Sequence, residues 1–337
     1  MSNRNPHRLL AMGPHGLSSK RLARVPEVLE RYVDSGFVPG AVAAVARHGE
    51  VHIEATGTLA FEGASSRTPI AADTICRIAS TTKPVVAACA MTLVEDCTLR
   101  LDDPVDEFLP ELADMRVLAD PDGPLDDTVP ANRPITLRDL LTCTLGTGIV
   151  PAEPGTIPIA DALNALQIDE PTARDNRQLA ELPADEWIRR LGTLPLVYQP
   201  GERWMYNTAA NVTGVLIARA TGMSFGDALR ERICGPLGMK DTGFSVPGES
   251  ISRLATLYQG DEVAGEVVVE DGPVRTRRTH LGPSAGSYGW NGGYGTIWYN
   301  DPGEDMTAIL MIQRAAGRPT LPIFLDFFTA AYQAIDG

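Results

Sequence analysis

A chain of 337 residues, 44% hydrophobic and 21% charged, has the composition of a globular protein, with enough apolar material for one large domain or two intertwined ones. Its formal net charge of −14 disfavours nucleic acid and anionic lipid as partners, and no apolar run reaches the roughly 18–20 residues that a bilayer demands. Leu9 to Met12 is too short for the apolar core of a secretory signal, and Cys76, Cys89, Cys97, Cys143 and Cys234 form neither a C-x-x-C pair nor a disulfide framework, so a cytoplasmic protein with free buried thiols is expected.

In chain order, residues 21–35 place Leu22, Val25, Val28, Leu29 and Val33 on one face of a helix. Ala41 to Ala46 and Val51 to Thr58 alternate and are joined by Arg47-His48-Gly49-Glu50, which predicts a β-hairpin. Residues 80–97 read as a buried helix, and Ile135 to Leu141 as a short one opened by Thr136. Residues 146–183, rich in Pro, Gly and Asp, read as a surface-wrapping segment. Ala209 to Thr221 is an apolar helix stopped by Gly222, followed by a second over Phe225 to Ile233. Gly295 to Tyr299 and Thr307 to Gln313 predict a hairpin about Asn300-Asp301-Pro302-Gly303, and Pro322 to Ile335 a closing helix. This order fits an α/β domain built from both ends of the chain, residues 21–79 and 240–337, with a mostly helical domain, 80–239, inserted between them.

Ser80-Thr81-Thr82-Lys83 is an S-x-x-K element at the mouth of the apolar helix, and the i to i+3 spacing puts hydroxyl and amine on one helical face. A serine attacks only when a neighbour takes its proton, and the positive end of a helix favours both an alkoxide and a neutral amine. Lysine is scarce here, at positions 20, 83 and 240 only, and unlike arginine it can give up a proton at workable pH. The same tetrapeptide also describes an N-cap serine followed by a solvated lysine. Tyr206 lies between a turn and a helix; such a tyrosine is usually a packing residue, yet a phenol near a lysine can relay protons. Trp290-Asn291-Gly292-Gly293 precedes an expected strand, where glycines allow close backbone approach and an exposed N–H can serve an oxyanion; the plain alternative is a glycine turn. Gly282-Pro283-Ser284-Ala285-Gly286 matches G-x-S-x-G, but no apolar strand precedes it, no helix follows, and His280 is the last histidine, so it reads as a decoy. No histidine has an evident pairing role for a catalytic Cys143.

Several ordered segments resemble one family. Ile75 to Val105, with its S-x-x-K, resembles the nucleophile helix of class C β-lactamase-like enzymes and family VIII carboxylesterases. Pro134 to Thr144 resembles the segment that follows, Pro200 to Gly222 the tyrosine segment, and Ile233 to Phe244 (ICGPLGMKDTGF) a landmark of the family. Gly289 to Pro302 resembles the terminal strand element, with Trp-Asn-Gly standing where lactamases carry Lys-Thr-Gly. Three departures stand out: Thr208 replaces the usual Asn of Tyr-x-Asn, Cys143 and Leu145 replace a histidine and a serine, and residues 246–285 are several dozen residues shorter than the family's segment.

The resemblance implies an antiparallel sheet flanked by helices with an inserted helical domain, and acyl transfer to Ser80 and then to water or another acceptor. By the same resemblance Lys83 and Tyr206 share the general-base role, the N–H groups of Ser80 and Gly293 form the oxyanion hole beside Gly292, and Trp290 lines the acyl pocket. It implies neither metal nor cofactor, and a small-molecule ester or amide as the substrate. Trp-Asn-Gly lacks the cation with which lactamases bind a carboxylate, which favours neutral esters. Acyltransferase, amidase or peptidase activity are the alternatives within the superfamily; an inactive homologue that binds an acyl ligand or a partner chain is the alternative outside enzymology.

Overall fold

A computed structural model describes residues 16–168, 182–258, 286–315 and 321–336. The chain forms two compact units, one from the residues up to Thr82 together with Ser245–Gly337, the other from Lys83–Phe244.

The first unit is a five-stranded antiparallel sheet with helices on one face. Its opening helix comes in two pieces, α1 (Ser19–Leu22) and α2 (Arg24–Asp34), rather than the single helix expected over 21–35. Pro26 is the cause: it has no N–H to offer the Leu22 carbonyl four residues back, and its ring crowds that carbonyl. The expected hairpin is β1 (Gly40–Arg47) and β2 (Glu50–Gly57), with Arg47 opposite Glu50. His48 and Gly49 turn the chain with φ of 49° and 81°, the positive values that a two-residue hairpin loop needs. At the other end of the chain stand β5 (Tyr288–Gly292), β6 (Thr296–Asp301) and β7 (Met306–Ile312), with α9 (Leu321–Gln333) after them.

The sheet order is β2-β1-β7-β6-β5, so the first and last hairpins meet at β1 and β7, with Ala43 opposite Leu310. Alternation sends Ala43, Val45, Ala308, Leu310 and Ile312 to the face packed by Leu29 of α2 and Phe327 of α9. Full burial of the larger of these, Val45, Leu310, Ile312, Leu29 and Phe327, stabilises the unit by about 1.5–3 kcal/mol each. The opposite face carries a cross-strand row of Trp290, Trp298, Ile309, Ala44 and Ile53.

The second unit has its own core, in which Leu93, Leu109, Leu140, Leu145, Ile159, Leu163 and Ile188 are fully or almost fully buried. Its elements are α3 (Thr82–Glu95, with Thr82 in the first unit), β3 (Arg116–Leu118) paired with β4 (Thr128–Pro130), α4 (Leu137–Leu141), α5 (Pro158–Ala165), α6 (Ala184–Leu191), α7 (Thr208–Thr221) and α8 (Phe225–Leu229). Thr136 caps α4 as expected, in a reciprocal capping box with Asp139, and Gly222 ends α7 at φ 67°. The helix expected over Phe225–Ile233 gives way after Leu229 to a π-turn, Arg230–Cys234. The segment expected to wrap the surface contains α5, with Ile159 and Leu163 buried; Pro158 stands in its first turn, where proline suits a helix. Among the described residues no helix is long and apolar enough to cross a membrane.

Candidate active site

Ser80 sits in the middle of a single 3-10 turn, Ala79–Thr81, that runs directly into α3. The backbone enters this turn through Ala79 at φ 45°, a left-handed conformation that costs a residue with a Cβ about 1 kcal/mol and persists only where neighbours impose it. The Ile78 carbonyl accepts from Thr81 N–H (3.1 Å), Thr81 Oγ1 (2.5 Å) and Thr296 Oγ1 (3.0 Å). The Gln313 amide accepts from Arg77 N–H at 2.7 Å and donates to the Arg77 carbonyl at 3.0 Å. Ile75 bonds both ways with the 253–255 segment.

β5 runs against this turn at Gly292. A Cβ there would stand 2.2 Å from Thr296 Oγ1 and 2.3 Å from the Ile78 carbonyl, so only glycine allows the approach. A Cβ on the exposed Gly293 would meet nothing within 4 Å. Gly292 is thus packed on the Ser80 turn, while the Cα of Gly293 faces open space. Trp290 lies within β5 itself, opposite Trp298, not in a turn ahead of a strand. The first unit thus brings Ser80, Gly292 and the β5–β6 turn together on the sheet face away from α2 and α9.

The second unit brings Lys83 and Tyr206 together. Lys83 stands in the first turn of α3, and its Nζ lies over the Tyr206 ring, 4.5 Å from the centroid. Trp204, 61% exposed, stacks on the same ring with centroids 5.6 Å apart. Tyr206 is held through its backbone. Met205 N–H bonds to the Cys143 carbonyl at 2.7 Å, and Ile149 N–H to the Tyr206 carbonyl at 2.9 Å. Asn207 follows at φ 85°, swinging the chain into α7.

Beneath this loop pair lies the buried Asp139, which accepts from Arg133 Nη1 and Nη2 at 2.6 and 2.8 Å. Burial pushes its carboxyl up; the Arg133 guanidinium and the bonds from Thr136 outweigh that and hold it below the usual carboxylate range. Gly201, at φ 85°, rests on the pair; a Cβ there would be 2.3 Å from Arg133 Nη2.

Two of the three departures from the family pattern, Thr208 and the Cys143–Leu145 pair, fall in this same region and have plain physical readings. Leu145 is wholly buried in the apolar core. Thr208 is 1% exposed, and its hydroxyl has no hydrogen-bond partner among the described residues. Cys143 is buried at φ 57°; burial pushes its thiol up while the Lys83 charge pulls the other way, a setting for an inert thiol. Cys97 is exposed, against the expectation of buried thiols throughout. Of the G-x-S-x-G decoy, only Gly286 lies among the described residues, and so does only the 246–258 part of the shortened segment. Gln313 and Thr296 were not among the residues expected at the site; a buried polar residue at the end of an apolar strand is the signal that points to them.

The Beta-lactamase family model matches residues 25–276. Esterase EstB of Burkholderia gladioli is 36% identical over 222 residues, 66% of this chain and 51% of that protein. Acyltransferase mokF of Monascus pilosus is 31% identical over 261 residues, 75% of this chain and 60% of that protein. The chain thus spans little more than half the length of these relatives. Among solved structures, EstCE1, described as a hydrolase with promiscuous acyltransferase activity, superposes with a TM-score of 0.75 at 22% identity, over 93% of this chain and 99% of that one, and shares its fold. With the antiparallel sheet, the S-x-x-K turn and the family match in agreement, the chain belongs to the beta-lactamase family.

Proposed function

We propose that the protein is a serine carboxylesterase acting on small neutral esters through an acyl-enzyme on Ser80. The observation that carries the reading is the placement of Ser80 on a backbone turn held from both sides, three residues before a lysine whose Nζ lies 4.5 Å from the centre of the Tyr206 ring. Ser80 Oγ attacks the ester carbonyl, and its proton passes to the base that Lys83 and Tyr206 share. The negative charge that develops on the carbonyl oxygen is met by the N–H groups of Ser80 and Gly293. The alcohol leaves with the proton, and water releases the acid in a second round of the same transfers. Trp290, in the place of a lactamase lysine, offers an apolar edge and no cation, which supports an ester over a carboxylate-bearing lactam.

A fluorophosphonate probe tests this directly. The expected result is stoichiometric labelling of Ser80, located by peptide mass spectrometry, with loss of p-nitrophenyl ester turnover in step. An unlabelled protein refutes the enzyme reading and leaves a binding homologue. The esterase and acyltransferase relatives support transfer to an alcohol as a second reading. The two part when a small alcohol is added at fixed ester concentration: a hydrolase keeps releasing free acid, and a transferase diverts the acyl group to the new ester.

A further inference from the structure

We infer that Gln313 and Thr296 are positioning residues that hold the Ser80 turn in register with the β5–β6 turn, and so set the spacing of the two oxyanion donors. The inference rests on the reading of Ser80 as nucleophile. Neither residue bears on the reaction by its own chemistry, and neither is accessible: Gln313 is 3% and Thr296 1% exposed.

Their hydrogen bonds are not those of ordinary sheet filling. The Gln313 amide takes both backbone groups of Arg77, accepting from its N–H and donating to its carbonyl, as a neighbouring strand would. The same Nε2 donates to the Ile312 carbonyl at 2.9 Å and stands 3.4 Å from the Tyr294 carbonyl, in the turn that follows Gly292 and Gly293. One side chain therefore spans the segment three residues before Ser80 and the turn that presents Gly293. Thr296 does the same one step further on, donating to the Ile78 carbonyl two residues before Ser80, with its hydroxyl 3.4 Å from that of Thr81. These bonds cross 236 and 218 residues of sequence. They hold the two residues that lead into Ala79, the left-handed residue that an unsupported chain would relax. Gly292, with no room for a Cβ against Thr296 and Ile78, fixes how close the two segments come.

Thr296→Val removes the donor and keeps the shape. It is expected to lower the rate of Ser80 acylation by a fluorophosphonate, and kcat for short esters, by about 100-fold, the loss that a misplacement of about 1 Å brings, with KM unchanged. Thr296→Ser keeps the hydroxyl and is expected to restore the rate. Gln313→Leu, which loses both bonds to Arg77, is expected to fall at least as far. Tyr332→Phe is the control: it removes a buried hydrogen bond to Asp301 (2.7 Å) in the same unit, away from the turn, and so lowers stability without touching Ser80. If Thr296→Val and Gln313→Leu acylate at wild-type rate, or if Tyr332→Phe slows acylation as much as they do, the positioning role is refuted. If the wild type itself does not label at Ser80, it is the nucleophile reading that fails. Should Gln313→Leu not fold, the Thr296 pair decides alone: equal rates in Thr296→Val and Thr296→Ser refute the inference.

Discussion

Ser80 and Tyr206 are both delivered by strained backbone, Ala79 at φ 45° in one unit and Asn207 at φ 85° in the other, yet the two are held by different means. The Ser80 turn, besides the backbone bonds of Ile75 and Thr81, is fastened by side chains: Thr81 locally, and Thr296 and Gln313 reaching backbone groups more than two hundred residues away. The Tyr206 loop is fastened by backbone bonds to the 143–149 segment, over the buried Asp139 and its half-exposed partner Arg133. Backbone bonds do not depend on side-chain identity. That is why Cys143 and Leu145 can depart from the family pattern beside Tyr206 without unmaking the loop, whereas the Ser80 side has no such freedom.

The sharpest way to break this comparison is at its centre. Ser80→Ala is expected to lose several orders of magnitude in p-nitrophenyl ester turnover. Retained turnover would remove the reason for treating the Ser80 turn as special. Lys83→Arg should fold normally by circular dichroism and still lose nearly as much, because arginine keeps a cation over the Tyr206 ring but cannot take a proton. A fall of less than about tenfold, on the order of 1.4 kcal/mol in the barrier, would make Lys83 a structural cation only.

Gly292→Ala drives a methyl into Thr296 Oγ1 and the Ile78 carbonyl. It should cost about 100-fold in kcat, in the range seen for loss of one oxyanion donor. Gly293→Ala, facing open space, should cost far less, and equal effects would contradict the geometry. On the Tyr206 side the expected effect is on stability. The Asp139 carboxyl titrates below the ordinary Asp value of about 3.9 when folded. Its contribution is therefore fully present above about pH 4 and is lost as the pH falls through the depressed value. Asp139→Asn should lose about 2 kcal/mol at neutral pH, less than a fully buried pair because Arg133 is half-exposed, and should flatten the acid limb of a urea-midpoint-versus-pH curve. The smallest effect is expected from Cys143→Ser, which should leave ester turnover within about twofold, since a buried protonated thiol does no chemistry there.

What the sequence made legible were the features that repeat or cluster. The S-x-x-K turn, the first hairpin, the α7 stop at Gly222 and the Thr136 cap each have a local signature of fixed spacing. β5 was not legible as a strand, because Tyr-Gly-Trp-Asn-Gly is poor in strand formers and its glycines serve the approach to Ile78 rather than the sheet. β3 and β4, three residues each, are too short to show alternation. The break between α1 and α2 was written in Pro26, but the amphipathic spacing across it hid the interruption. Least visible of all were Thr296 and Gln313, since a side chain that bonds the backbone more than two hundred residues away leaves no periodic trace in its own neighbourhood.

The strand order has a consequence for how the protein comes into being. Lys83–Phe244 is continuous in sequence, so its internal contacts are on hand once Phe244 has left the ribosome. β1 must wait for β7, and α2 for α9; until those later elements emerge, one edge of the first hairpin stays unpaired and its apolar face uncovered. Gln313 emerges with them, so the Ser80 turn acquires its clamp only once β7 has been made. A nascent chain therefore carries the serine and the lysine through more than two hundred further residues of synthesis before the side chains that fasten the Ser80 turn exist.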